Sequence, residues 1–95
     1  MKQLIVTNKA IKDIEIAKKW YDEQQEYLGS KFADCIFKSF NEIQQQSLSF
    51  PNKYKYTREM YIKKFPYTII YSIEENIIFI LRVFHCKINP NKKYT

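Results

Sequence analysis

The sequence predicts an α+β fold, in which an N-terminal strand and a two-helix hairpin pack on an antiparallel sheet with a C-terminal three-stranded meander. Three observations support this prediction. Apolar residues follow the helical period of 3.6 through most of the first half of the chain. After Pro51 they alternate with polar residues, as in half-buried strands. The interruptions between the alternating segments are short enough for hairpins, which join neighbouring antiparallel strands.

The chain opens with a predicted strand and a predicted helix. Residues 3–7 are rich in β-branched side chains, which favour a strand. Asn8 follows and is predicted to cap a helix by accepting a hydrogen bond from a backbone N–H of the first turn. The next apolar residues recur at helical spacing, with charged residues between them. They predict an amphipathic helix of about five turns, whose inner stripe is Ala10, Ile14, Ala17 and Tyr21.

A second helix is predicted after a break at residues 28–30. Gly29 accepts the left-handed conformation that ends many helices, and Ser30 can cap the next one. The second helix is predicted to end in the Gln-rich stretch before Pro51. Its inner face is marked by large apolar residues at helical spacing, namely Phe32, Ile36, Phe40 and Ile43.

Three strands are predicted in the second half of the chain. They cover residues 60–63, 67–73 and 77–84, where the apolar period is close to two. The last segment is apolar on both faces apart from Arg82. Strands that are apolar on both faces are usually covered on both, so we expect this strand to lie centrally in the sheet.

Size and composition restrict the classes of function. The 95 residues of 11.6 kDa suit one domain spanning residues 1–95. The hydrophobic content of 45% and the aromatic content of 17% exclude a disordered chain. A single Gly excludes a glycine-rich phosphate loop, and one His with two separated Cys cannot complete a zinc site. We therefore expect no cofactor and no metal.

The N-terminus and the cysteines predict a cytoplasmic protein. The first residues lack the apolar core of a secretory signal. In the reducing cytoplasm Cys35 and Cys86 are expected to stay free thiols. The longest apolar run, residues 77–81, is too short to cross a bilayer, so no membrane association is expected.

The positive charge is confined to half of the chain. Residues 1–48 hold seven basic and seven acidic side chains, whereas residues 49–95 hold nine basic and three acidic ones. The whole net charge of +6 therefore comes from the second half. A one-sided positive field attracts polyanions such as nucleic acids, lipid surfaces or acidic protein segments.

Most cations of the second half are candidates for binding such a partner or, alternatively, solvated charges that discourage strand pairing. Arg82 differs because it interrupts the most apolar strand, where a guanidinium costs stability unless it is paired or faces solvent. A structural ion pair with Glu59 and a functional role are both open interpretations. The candidate binding lysines are Lys53, Lys55, Lys63, Lys64, Lys87, Lys92 and Lys93.

The same region contains residue types that could cleave RNA. Cleavage needs a base for the ribose 2′-hydroxyl, cations for the charge that gathers on phosphate, and an acid for the leaving oxygen. Arg58 and Arg82 are candidates for the cations, His85 for the acid and Glu59 for the base. The alternative is that His85, at the end of the last strand, is an ordinary surface residue.

The order of these segments resembles the RelE/ParE superfamily of bacterial toxins from type II toxin-antitoxin modules. The resemblance rests on Thr57-Arg58-Glu59, on the Phe-Pro-Tyr-Thr-Ile-Ile-Tyr segment at 65–71, and on the Ile-Leu-Arg-Val-Phe-His segment at 80–85, all preceded by the helical hairpin. It spans nearly the whole chain in element order and is sharpest over residues 58–90.

The resemblance implies a toxin that a cognate antitoxin, encoded beside it, holds inactive. ParE-like members poison DNA gyrase and need no hydrolytic residues, whereas RelE-like members enter the ribosome and cut mRNA. By motif match Arg58, Arg82 and His85 would serve that cleavage. The Arg-Glu pair and the Arg-Val-x-His ending look more like ParE, so a gyrase inhibitor is favoured. The alternatives are a ribosome-dependent mRNA endonuclease and, from another class, a noncatalytic nucleic-acid-binding module. Whether the protein is an enzyme stays open.

Overall fold

The computed structural model describes residues 2–54 and 56–86. It confirms the predicted α+β order of strand, helical hairpin and C-terminal meander, and it adds one short strand after the second helix that the sequence pattern did not predict. The elements are β1 (Gln3–Val6), α1 (Asn8–Gln24), α2 (Leu28–Gln45), β2 (Asn52–Tyr54), β3 (Thr57–Ile62), β4 (Tyr67–Glu74) and β5 (Ile77–His85).

The five strands form a single sheet in the order β1-β5-β4-β3-β2. The strands β3, β4 and β5 pair antiparallel in sequence order, as predicted for a meander. The strand β1 pairs parallel with β5, so the sheet is mixed rather than wholly antiparallel. The apolar strand β5 lies inside the sheet between β1 and β4, one place from the central strand β4.

The helical hairpin covers one face of the sheet and forms the core with it. The predicted stripe of α1 is buried, and so is the predicted face of α2. The sheet supplies alternate residues of its strands to the same cluster, as the period of two requires. Its most deeply buried contributors are Ile69, Tyr71, Ile78, Ile80 and Val83.

The first helix begins one residue earlier than predicted. Thr7, rather than Asn8, is the N-cap, and its hydroxyl oxygen accepts a hydrogen bond from the Ala10 N–H at 3.4 Å. The same hydroxyl donates to the Ile80 carbonyl at 2.8 Å. Thr7 is therefore the better cap here because it also fastens the start of the helix to the sheet.

The break between the helices differs from the prediction. Tyr27 adopts the left-handed conformation, with φ 66°, whereas Gly29 lies inside α2. The Gly29 N–H donates to Asp22 Oδ1 at 2.8 Å. A Cβ on Gly29 would overlap the Lys18 carbonyl oxygen, so glycine is needed for the close approach of the two helices.

Two further observations concern the predicted surroundings of the protein. Cys35 on α2 and Cys86 after β5 are free thiols. Within residues 2–54 and 56–86, none of the helices combines the length and the apolar character that crossing a bilayer requires.

Candidate functional site

On the edge away from β4, the C-terminal half of β5 is covered by side chains instead of a neighbouring strand. The strand β1 pairs with β5 only as far as Ile80. Beyond that point the Thr7 hydroxyl also donates to the Leu81 carbonyl at 3.2 Å. Asp13 on α1 then accepts a hydrogen bond from the Val83 N–H at 3.0 Å. Thr7 and Asp13 thus continue the pairing of β5 past the end of β1.

Arg82 is held at this edge by Asp13. The pairing of β5 with β4 shifts by one residue at Leu81, and such a bulge re-aims the following side chain. Arg82 Nε donates to Asp13 Oδ2 at 2.7 Å, and Arg82 Nη2 donates to Asp13 Oδ1 at 3.0 Å. The two side chains are only 21% and 16% exposed. The hydrogen bonds that Arg82 donates to Asp13 raise the pKa of Arg82, so this cation is permanently charged and locally neutralised.

His85, at the end of the same strand, packs against an aromatic cluster formed by Tyr21, Phe32 and Tyr67. It is half-buried, opposite Tyr67 on β4, and the two rings meet edge to face with centroids 5.0 Å apart. Burial, reinforced by the nearby Tyr21 and Asp13, raises the pKa of Tyr67 to about 12. Near neutral pH, Tyr67 is therefore an uncharged neighbour of His85.

Arg58 belongs to a different part of the molecule. Its Nη1 donates to the carbonyls of Phe50 at 2.7 Å and Leu48 at 3.5 Å, which holds the connection between α2 and β2. On β4, the residue opposite Arg58 is four positions from the residue opposite His85. This separates the two by about 13 Å along the strands alone. Arg58 and His85 do not share one site.

Tyr71 lies opposite Arg58 on β4 and makes the stability of the fold depend on pH. Its hydroxyl donates to the Ser47 carbonyl at 2.6 Å, and burial raises its pKa from 10.0 to about 12 despite the nearby Arg58. A tyrosine whose folded pKa is raised stabilises the fold fully below its unfolded pKa and loses that contribution as pH rises through the folded pKa. We expect Tyr71 to account for a loss of about 2 kcal/mol between pH 10 and pH 12.

Urea unfolding at pH 8, 10, 11 and 12 measures this loss, with the Tyr71→Phe variant as the comparison. The variant should be less stable by about 1 kcal/mol at pH 8, because the bond to Ser47 is gone. It should lose less stability than the natural protein above pH 10. Parallel losses in both proteins would contradict the assignment to Tyr71.

The comparisons with known proteins identify the family. The sequence pattern described as ParE toxin of type II toxin-antitoxin system, parDE, matches residues 4–90. The chain belongs to this ParE toxin family. The toxin is thus one component of a type II toxin-antitoxin module, and a cognate antitoxin is its partner, as predicted.

Solved structures agree with the fold. A chain of the chromosomal ParDE TA system from P. aeruginosa superposes with a TM-score of 0.83 at 20% sequence identity, covering 92% of this chain and 98% of that chain. A copper-bound mutant toxin from Helicobacter pylori superposes with a TM-score of 0.59 at 16% identity, covering 90% of this chain and 94% of that chain. A comparison with curated protein sequences finds no match.

The structure does not bring the predicted catalytic set together. Arg82 and His85 lie three residues apart on β5, where alternation along the strand turns their side chains to opposite faces of the sheet. Arg58 lies near the start of β3, opposite Tyr71 on β4. Glu59 lies opposite Ile70, which in turn lies opposite Arg82, so Glu59 is two strands or about 10 Å from Arg82. The ion pair with Glu59, one of the two open interpretations of Arg82, is therefore not formed, and Arg82 pairs with Asp13 instead. The reason is that α1 passes beside the edge of β5, close to Arg82.

The predicted binding lysines are described only in part. Lys63 and Lys64 lie in the turn between β3 and β4 and are exposed. Lys53 lies on β2, and its side chain is outside the described part of the chain. Outside the described residues altogether are Lys55, Lys87, Lys92 and Lys93.

Sequence reasoning missed Asp13, although a signal for it exists. Asp13 is three residues after Ala10 and four before Ala17, so it borders the buried stripe of α1. A carboxylate in such a position needs a cation or backbone N–H groups as partners, because burial of an unpaired charge is costly. Arg82, the basic residue in the most apolar strand, is the corresponding cation.

Proposed function

We propose that the toxin inhibits bacterial growth by poisoning DNA gyrase in the cytoplasm. The observation that carries this proposal is the match to the ParE toxin family over residues 4–90. ParE-like members of the superfamily act on gyrase, and the motifs around Arg58 and Arg82 resemble theirs.

The geometry around Arg82 supports a mechanism without hydrolysis. Cations that stabilise a phosphate transition state must be able to face the phosphate. Arg82 is neutralised by Asp13, and Arg58 donates to two backbone carbonyls. Because these partners would have to be released first, both arginines are better suited to holding the fold than to RNA cleavage.

A supercoiling assay tests the proposal directly. Purified toxin is added to gyrase, ATP and relaxed plasmid, and a parallel sample contains the cognate antitoxin as well. We expect the toxin to slow supercoiling and to accumulate cleaved plasmid, and we expect the antitoxin to restore supercoiling. Block of cell-free translation, with cut mRNA and with gyrase unaffected, would overturn the proposal.

The His85→Ala variant separates the two mechanisms within the same assays. Loss of a general acid lowers a rate by about 10² or more. Because gyrase poisoning needs no proton transfer from the toxin, we expect the variant to keep inhibition to within about tenfold. Circular dichroism checks that the variant is folded. A hundredfold loss of activity in a folded variant would contradict this prediction.

A further inference from the structure

A basic recess lies between α2 and the turn that joins β3 to β4. It has a volume of about 210 Å³. The α2 residues that line it recur at helical spacing on one outward stripe, and the turn closes the other side. The lining residues are Lys31, Asp34, Cys35, Lys38 and Lys64.

The ammonium groups around this recess outnumber its carboxylates by three to one. Within the described part of the chain, Lys18 and Arg82 have carboxylate partners within 4 Å, but Lys31, Lys38 and Lys64 have none. Asp34 is the only acidic residue among those that line the recess. The lining therefore carries a net charge of about +2 at neutral pH. An anion would relieve the mutual repulsion of the lysines.

We infer that this recess binds the phosphate backbone of a nucleic acid. Lysine binds phosphate as a point charge and does not require one fixed geometry of the phosphate oxygens. The cations that line the recess are Lys31, Lys38 and Lys64. Contacts of this kind hold a backbone without reading its sequence.

The spacing of the lysines along the basic recess favours a polyanionic ligand over a single carboxylate. Lys31 and Lys38 are two helical turns apart, or about 10 Å along α2. Lys64 lines the recess from the turn. One carboxylate would neutralise one of these groups, whereas successive phosphates of one strand can reach several of them. The inference does not depend on gyrase as the target.

Binding to a fluorescent 20-base-pair DNA duplex tests the inference with the full chain and without gyrase. The test protein is the Lys31→Gln, Lys38→Gln, Lys64→Gln triple variant. The matched control removes the same charge from exposed lysines of α1, as the Lys9→Gln, Lys12→Gln, Lys19→Gln triple variant. Fluorescence anisotropy is measured across a salt series, and circular dichroism confirms that both variants are folded.

The recess triple is expected to bind about tenfold or more weakly near 0.1 M salt. Its slope of log affinity against log salt should fall by about 2 to 3, because each lost phosphate contact removes about 0.9. The control triple should change the slope by less than about 1. Equal effects of the two triples, or no effect of either, would overturn the inference.

Two further measurements test the same recess. Asp34→Asn removes the repelling carboxylate and should strengthen DNA binding. Bound DNA should slow alkylation of Cys35 by iodoacetamide in the natural protein but not in the recess triple variant. Unchanged alkylation of the natural protein at saturating DNA would contradict the inference. If the recess triple variant no longer binds a Glu-rich peptide but still binds DNA, the recess is a site for acidic protein segments and the phosphate assignment is wrong. A failed gyrase assay leaves all these results unaffected.

Discussion

Replacing Asp13 with alanine is expected to lower the free energy of unfolding by about 3 kcal/mol. The carboxylate accepts two hydrogen bonds from Arg82 and one from the Val83 N–H. The Asp13→Ala variant leaves the guanidinium, which is only 21% exposed, without its counter-ion. It also leaves a backbone N–H at the edge of β5 without its acceptor. Urea unfolding at pH 7 measures the loss.

A double-mutant cycle with Arg82→Met separates the ion pair from the bond to the backbone. The Asp13→Ala, Arg82→Met double variant should be more stable than the sum of the two single losses predicts, because the uncompensated charge is gone. Glu15→Ala, an exposed acid on the same helix, is the control and should change stability by less than about 0.5 kcal/mol. Strict additivity of the two variants would contradict the proposed coupling.

The pair between Asp13 and Arg82 shows how far the sequence could predict this fold. The helical and strand periods placed α1 and β5 correctly because each period depends on neighbouring residues. They also marked Arg82 as a cation in an apolar strand. Its partner depends on where β1 ends and how α1 leaves the sheet, and Asp13 is 69 residues away along the chain. Periodicity carries no information about such a contact, so the sequence left a pair with Glu59 and a functional role as open interpretations of Arg82.

The basic recess was missed for a different physical reason. The first 48 residues are neutral in sum, so the charge count directed attention to the second half. A sum over half of a chain does not report local charge density, because four of the seven acidic residues in that sum lie on α1, whereas Lys31 and Lys38 lie on α2. Lys31 and Lys38 lie on one stripe of α2, and only the folded chain brings Lys64 opposite them. Lys64 was therefore predicted as a binding residue without its neighbours.

Gly29→Ala is the second variant from which we expect a large effect, and its direction opposes helix propensity. Alanine inside a helix is normally better than glycine by about 1 kcal/mol. At this position the added Cβ would lie 2.5 Å from the Asp22 carboxyl and would overlap the Lys18 carbonyl oxygen. Because the carbonyl belongs to the backbone of α1, the helices must separate. We expect a net loss of about 3 kcal/mol and a fall in melting temperature of roughly 12 to 20 °C.

Thermal unfolding of three variants identifies the cause of this loss. Ser30→Ala, one residue later and exposed, should be neutral or slightly stabilising, which controls for helix propensity. Adding Asp22→Ala to Gly29→Ala should not restore stability, since the overlap with the Lys18 carbonyl remains and Asp22 no longer accepts the hydrogen bond from the backbone N–H of residue 29. A Gly29→Ala variant as stable as the natural protein would contradict the close approach of Gly29 to the Lys18 carbonyl. The close approach also affects the aromatic cluster against which His85 packs. Tyr21 on α1 and Phe32 on α2 belong to this cluster, and their ring centroids are 5.2 Å apart across the hairpin. Separation of the helices would therefore disturb the packing of His85.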